Sequence, residues 1–394
     1  MADRTTTFAE LEGGKLLELG AGRPRTVHLG QDSPIPILRV GDVLDGRIEA
    51  SVKGDMPDDS GKSLSSKASR PGDVVLTTKG TVGRVALMPS EGPTFAYSPQ
   101  ICYFRPADGG PLRSRYLYYW FKSAEFWKQA DALKGQTDMA DFLSLSDIQS
   151  LRISLPSLEQ QAGVADLLGA LDEKFAVNER IAATSDALRS ALLTDALAQG
   201  TRLIPLSAIA DFINGRAFTK QATGTGRMVV RIAEINSGPG SSTVFNELDV
   251  ADVHLARPGD VLFAWSGSLT VARWYRSEAI INQHIFKVIP KVSYTHWLAF
   301  ELIKLALAKF RAIAADKATT MGHIQRRHLD EVVAVPDSPA LASIEKQAKA
   351  LWDRALAAEV ENLQLAKLRD TLLPKLMSGE LRVRDAEQIV GEAT

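Results

Sequence analysis

The chain is written twice, and an internal repeat constrains architecture more than any local propensity does, because each copy is one structural unit. Arg70-Pro71-Gly72-Asp73-Val74 recurs 187 residues on as Arg257-Pro258-Gly259-Asp260-Val261, and both copies run through an apolar stretch to a glycine, Gly80 and Gly267. Upstream, Leu38-Arg39-Val40 matches Val230-Arg231-Ile232. Gln100 and Gln283 each stand near the start of an apolar run, Met139 and Phe142 match Met321 and Ile324, and Pro156 matches Pro336, all in one order. Leu188-Arg189 with Leu192-Leu193 then matches Leu368-Arg369 with Leu372-Leu373 at an offset of 180. The 394 residues divide on this reading into a globular part (1–154), a helix (155–200), a second globular part (201–336), a second helix (337–381) and a tail (382–394).

Each globular part reads as α+β. Val74-Val75-Leu76, Arg84-Val85-Ala86-Leu87 and Ile101-Cys102-Tyr103-Phe104 are short β-rich runs bounded by Gly, Pro and Ser, as strands of a compact sheet are. Pro-Gly ahead of each Asp-Val suits a turn in which proline fixes φ and glycine supplies a positive one. Helical patches at Tyr116 to Leu133 and His296 to Ala315 occupy matching places. The opening lacks a clear strand-helix lead-in before Leu38, whereas the second copy has Ile204-Pro205-Leu206 and Ile209-Ala210; disorder or docking elsewhere is the expectation for the first 30 residues.

The helical segments carry coiled-coil seams. Val164, Leu168, Leu171, Phe175, Asn178, Ile181, Ser185, Leu188 and Leu192 follow mostly alternating steps of three and four, as do Leu351, Ala355, Ala358, Asn362, Leu365, Leu368, Leu372 and Leu376, with Pro374 breaking or kinking the last turns. Such a stripe wants a partner, and the nearest is the other copy, so the two helices are expected to pair antiparallel. Asn178 and Asn362 fall on the seam, either buried as register-setting residues or at its rim in contact with water.

Charge and composition exclude several classes. With 45% hydrophobic and 24% charged residues the chain has the balance of a folded protein. No apolar run approaches the ~18 residues that span a bilayer, and the opening residues do not form a signal-peptide core, so a cytoplasmic protein without a membrane partner is expected. Net charge is -1, which argues against binding nucleic acid by bulk electrostatics, yet residues 201–335 carry 16 Lys or Arg against 11 Asp or Glu. Cys102 is the only cysteine and reads as a buried, inert thiol. The six histidines show no metal-ligand spacing, and no metal site is expected. Gly61-Lys62-Ser63 lacks the first glycine of a phosphate-binding loop, with Met56 in its place, and reads as an acidic loop. Neither Asn-Pro-Pro-Tyr nor Asp-Pro-Pro-Phe occurs, so the chain is not expected to methylate DNA alone, and no catalytic residue is assigned.

Taken with the duplication, Leu155-Pro156-Ser157-Leu158-Glu159-Gln160, Leu167-Leu168, Leu171-Asp172 and Asn178 resemble the central conserved region of Type I restriction-modification specificity subunits. Leu368-Arg369, Leu372-Leu373-Pro374-Lys375-Leu376 and Ser378-Gly379-Glu380-Leu381 resemble their distal conserved region. In the second copy Pro336-Asp337-Ser338-Pro339 and Ile344-Glu345-Lys346-Gln347 depart from the first. The resemblance implies two tandem α+β target-recognition domains on an antiparallel coiled coil, a non-catalytic subunit reading a split double-stranded DNA site. It implies as partners two methyltransferase subunits that carry S-adenosylmethionine, so that no cofactor is bound by this chain, and ATP-dependent restriction subunits as possible further partners. The helices would set the spacing of the half-sites. The rival class is a coiled-coil tether joining protein partners without DNA reading, and a weaker rival is an enzyme of the β domains; salt-dependent binding to a bipartite duplex separates the first reading from both.

Two domains that read different sequences share a scaffold and differ where they touch bases, so the repeat acts as a filter. The matched loops differ around a common glycine: Thr78, Lys79, Thr81 and Arg84 in the first copy, Trp265, Ser266, Ser268 and Arg273 in the second. These are candidate DNA contacts by their chemistry, although a tryptophan beside a strand is more often core. Gln100 and Gln283 suit adenine edges, or, being repeated, satisfy backbone groups. Lys134, Gln136 and Thr137, with Lys317, Thr319, Thr320, His323, Arg326 and Arg327, form polar, basic stretches that read as DNA-facing loops or as solvated turns.

Overall fold

The computed structural model describes residues 4–22, 28–29, 33–34, 36–50, 68–137, 140–220, 222–315 and 322–393. The chain divides into two compact units, Met1–Asp172 with Lys367–Thr394, and Glu173–Ala366. The Gly61-Lys62-Ser63 loop lies outside the described residues.

Both units are built on the same four-stranded antiparallel sheet. In the first its order is Leu17–Ala21, Ile101–Pro106, Val74–Thr77, Val85–Leu87; in the second it is Ala210–Asn214, Ile285–Pro290, Val261–Ala264, Thr270–Arg273. The duplicated Arg-Pro-Gly-Asp-Val motif is the turn into the third strand of each. Gly72 and Gly259 take φ of 80° and 94°, which a side chain would oppose. The aspartate closes the turn: Asp73 Oδ2 accepts the Arg70 N–H at 2.8 Å, and Asp260 Oδ2 accepts the Arg257 N–H at 2.7 Å. Each carboxylate also takes a cation from the adjacent strand. Arg105 holds Asp73 with two bonds of 2.7 Å, and Lys287 Nζ lies 2.8 Å from Asp260.

The opening corrects the expectation of a missing lead-in. Arg4–Thr7 pairs antiparallel with Arg152–Leu155, Phe8–Gly13 is a helix, and Leu17–Ala21 enters the sheet. This is the strand-helix-strand order of Thr201–Pro205, Leu206–Ile209 and Ala210–Asn214 in the second unit. Thr7 starts the first helix in a capping box with Glu10, a signal distinct from the apolar and proline pattern of the second copy. The helical patch is also unlike its counterpart. It splits into Ser114–Phe121 and Ala124–Leu133 because Ser123 caps the second piece by accepting the Phe126 N–H, whereas His296–Ala315 is unbroken. Phe8, Phe104, Trp120, Phe121 and Phe126 interlock in the first core, with ring centroids 4.7–6.0 Å apart.

The two long helices are Leu158–Gln199 and Ser338–Met377, of 42 and 40 residues, and Pro374 is accommodated inside the last turns of the second. In the second unit they run antiparallel, since partner numbers fall on one as they rise on the other. In the first unit Arg369 reaches Asp172 at 3.2 Å. In the second, Asn178 Nδ2 donates to Glu361 Oε2 at 2.8 Å and Asn362 Nδ2 to the Phe175 carbonyl at 3.2 Å. Both asparagines are buried.

The seam departs from its sequence reading beyond Ser185. Leu188 is 52% exposed, and Arg189, Leu193 and Ala196 are buried instead. Arg189 is paid for by partners on other elements: its guanidinium donates to Glu301 at 2.7 and 3.1 Å and to Asp186 at 2.7 Å, beside the rings of Phe300 and Trp352.

Candidate nucleic-acid interface

Three segments that are far apart in sequence meet at one edge of each unit. In the second unit the loop after Val261–Ala264, the turn before Ile285–Pro290 and the stretch from Gly322 to Ile324 are laced by backbone bonds. The Trp265 N–H donates to the His284 carbonyl at 3.2 Å, the Ile324 N–H to the Trp265 carbonyl at 3.0 Å, and the Gly267 N–H to the Gly322 carbonyl at 2.9 Å. The first unit repeats the scheme: Thr78 N–H donates to the Gln100 carbonyl at 2.8 Å, and Leu143 N–H to the Thr78 carbonyl at 2.9 Å. Gly80 and Gly267 supply φ of 85° and 62° in the two loops. Gly22 and Gly215 let the neighbouring strand pass against the turn, because a Cβ on either would strike carbonyl oxygens, those of Tyr97 and Ser98 or those of Ile281 and Asn282.

These bonds settle the register of the repeat and correct it by one residue at the turn. Ile101 N–H closes on Ser98 and Ile285 N–H on Asn282, so Gln100 corresponds to His284, and Gln283 to Pro99. The two glutamines are therefore not a repeated pair, and the argument that repetition makes them scaffold falls. What repeats at Gln100 and His284 is the carbonyl, while the side chain differs. Gln100 and Gln283 are both exposed. Likewise Val74 pairs with Leu87 and Val261 with Arg273, so in the repeat Arg273 is equivalent to Leu87 and not to Arg84.

The sequence-selected side chains separate into those turned outward and those spent on the scaffold. Lys79 and Thr81 in the first unit, and Ser268, Gln283 and Arg327 in the second, are exposed. Arg84 is half-buried, with Nη1 3.5 Å from the Val43 carbonyl. Thr78 is buried and its hydroxyl donates to the Gln100 carbonyl at 3.2 Å. Ser266 is buried with Oγ 3.1 Å from His284 Nδ1. Trp265 is half-buried on the core beside Phe286, its indole N–H donating to Asn214 Oδ1 at 2.9 Å. His323 is half-buried, its ring 6.3 Å from that of Trp265. Arg326 is exposed and donates to the Phe212 carbonyl at 2.9 Å.

Two candidates are corrected outright. Arg273 is 6% exposed and its guanidinium is committed to Glu359 at 2.8 and 2.9 Å and to Asp186 at 3.1 Å, over the Trp352 ring at 4.6 Å. It ties the sheet of the second unit to both of its long helical segments. Lys134 does not open a loop: Gly135–Thr137, which holds Gln136 and Thr137, pairs with Ala140–Phe142 as a hairpin. The Lys134 ammonium sits over the Trp127 ring at 5.0 Å and 2.8 Å from Asp131, so its charge is already answered. Lys317, Thr319 and Thr320 lie outside the described residues. His284 was missed from the sequence because the apparent match of the two glutamines hid the position it occupies.

A duplicated α+β module that offers the same backbone frame twice, with different polar side chains on it, defines a tandem recognition protein on paired helices. The comparisons with known proteins agree in kind. Residues 35–184 match the family model described as Type I restriction modification DNA specificity domain. The chain is 23% identical over 348 residues to the Type I restriction enzyme MjaIX specificity subunit of Methanocaldococcus jannaschii, covering 80% of this chain and 78% of that one. In fold it resembles the S subunit of a Type I restriction-modification system from M. genitalium, with a TM-score of 0.59 at 16% identity over 95% of each chain. Over these spans the chain is similar to Type I restriction-modification DNA specificity subunits.

Proposed function

We propose that each unit reads one half of a split duplex site, through the edge where its loop, its turn and the segment after its helix converge. The observation that carries this reading is the edge itself, built twice on one backbone scheme with Thr78-Lys79-Gly80-Thr81 and Gln100 in one unit and Trp265-Ser266-Gly267-Ser268 and His284 in the other. A shared frame with unlike side chains is what two readers of different sequences require. Lys79 and Arg327 supply phosphate contacts, while Gln100, Gln283 and His323 face base edges. The chain performs no catalysis. It acts in the cytoplasm as a scaffold for two methyltransferase subunits, which hold the S-adenosylmethionine, and restriction subunits join that complex where restriction accompanies methylation.

The test is to delete the gene in its host, map methylated genomic motifs with and without it, and purify the tagged chain with its partners. Loss of one split methylated motif and co-purification of a methyltransferase are the expected results. Unchanged methylation with no methyltransferase recovered would leave the chain as a protein tether. Binding of the purified complex to the split duplex should weaken steeply as salt rises, as phosphate contacts demand.

A further inference from the structure

At the turn of the second unit a histidine stands between a buried hydroxyl and an exposed amide. His284 Nδ1 is 3.1 Å from Ser266 Oγ, and His284 Nε2 is 3.2 Å from Gln283 Nε2. Its ring lies 5.7 Å from that of Trp265. An amide nitrogen only donates, so the imidazole Nε2 accepts, and the ring proton sits on Nδ1 and donates to Ser266. This network spends one N–H of Gln283 on the histidine. The other N–H and Oε1 remain for solvent or a ligand, one donor and one acceptor, the pattern that matches N7 and N6 of adenine.

We infer that His284 is a positioning residue that sets which hydrogen-bonding groups Gln283 offers to a base edge. The inference rests on the reading that this edge faces DNA. When His284 takes a proton from solvent at Nε2, both ring nitrogens donate, and the N–H of Gln283 can no longer point at the ring. The amide turns over so that Oε1 accepts from Nε2–H, and its two N–H groups face outward. That edge offers donors only, which suits the acceptor pair N7 and O6 of guanine and rejects the N6 amino group of adenine. Among the described residues, the other charged or titratable groups bridged to this turn and its loop are His323, whose residue bridges to Ser266, and Arg216, which bridges to Asn282. The first unit has Pro99 and Gln100 at these positions, neither of which titrates, so its half-site reading is expected to be independent of pH.

The test offers the full chain, in its co-purified complex, a pool of duplexes with randomised positions at about pH 5.5 and about pH 8. Sequencing the bound fraction gives the base preference at every position. The expected result is a shift of about tenfold from adenine towards guanine at one position in one half only, on going to the lower pH. His284→Gln should abolish the shift. It places at this position the residue type found at Gln100, so the carbonyl bond to the loop is kept, and the unaltered half reports that the chain is folded. Identical preferences at both pH values, or a shift that survives His284→Gln, would overturn the inference while leaving DNA reading intact. If no duplex is enriched at either pH, the DNA-facing assignment of the edge fails and the inference fails with it.

Discussion

Removing the carboxylate of Glu301 should unfold the second unit far more readily than its place on a helix suggests. Glu301 and Arg189 are 1% and 0% exposed, and the guanidinium donates two hydrogen bonds to that one carboxylate group. Glu301→Ala leaves a buried cation with Asp186 at 2.7 Å as its remaining acidic partner. Breaking a buried pair from one side costs about 3–5 kcal/mol, and Asp186, which is partly solvated, brings the expectation to the lower end, about 3 kcal/mol. For a unit of this size that is a fall in Tm of roughly 6–12 °C. The double variant Arg189→Met with Glu301→Leu removes both charges and keeps the volume, so it should recover to within about 1 kcal/mol of the parent. Ser190 Oγ loses its acceptor in that variant but keeps Lys304 Nζ at 3.2 Å. Urea unfolding followed by tryptophan fluorescence reads the difference, since Trp297 and Trp352 are buried in this core. A loss below about 1 kcal/mol for Glu301→Ala, or a double variant no better than the single one, would refute the reasoning.

Gly215→Ala should cost about 3 kcal/mol by forcing the strand off the carbonyls of Ile281 and Asn282, and it should weaken binding to one half-site while the other is read normally. Burial pushes the Cys102 thiol up to about 12, so alkylation in native buffer at neutral pH should be negligible and should become complete only in denaturant. His254 is buried with Nδ1 unpaired, and desolvation followed by the charge of Arg216 lowers its pKa. The folded state therefore binds fewer protons than the unfolded one below the ordinary imidazole value, and stability present above about pH 6.5 should be lost as pH falls through the folded value. His254→Phe should remove that part of the slope in unfolding measured against pH.

The duplication and the two helical seams were legible in the sequence because both are local or self-referring: a repeated Pro-Gly-Asp turn needs the same φ in each copy, and steps of three and four put residues on one helix face. The polar edge was legible in part. Its loops could be chosen by their glycines, Gly80 and Gly267, and by the change of neighbours around them. What the linear chain does not encode is which neighbour answers a charge or a hydroxyl. Arg273 and Lys134 looked like free cations until Glu359 and Asp131 were found beside them. Leu188 outranks Arg189 on any hydrophobic pattern, yet the arginine lies inside because Glu301, more than a hundred residues away, neutralises it there. The single-residue register at Gln100 and His284 was set by carbonyl bonds from Thr78 and Trp265, which only the closed sheet brings within reach. Periodicity and repetition thus determined the elements and their order, whereas the tertiary structure decided which polar groups are used up holding the fold and which remain to meet a ligand, because hydrogen bonds and ion pairs are satisfied in space and not along the sequence.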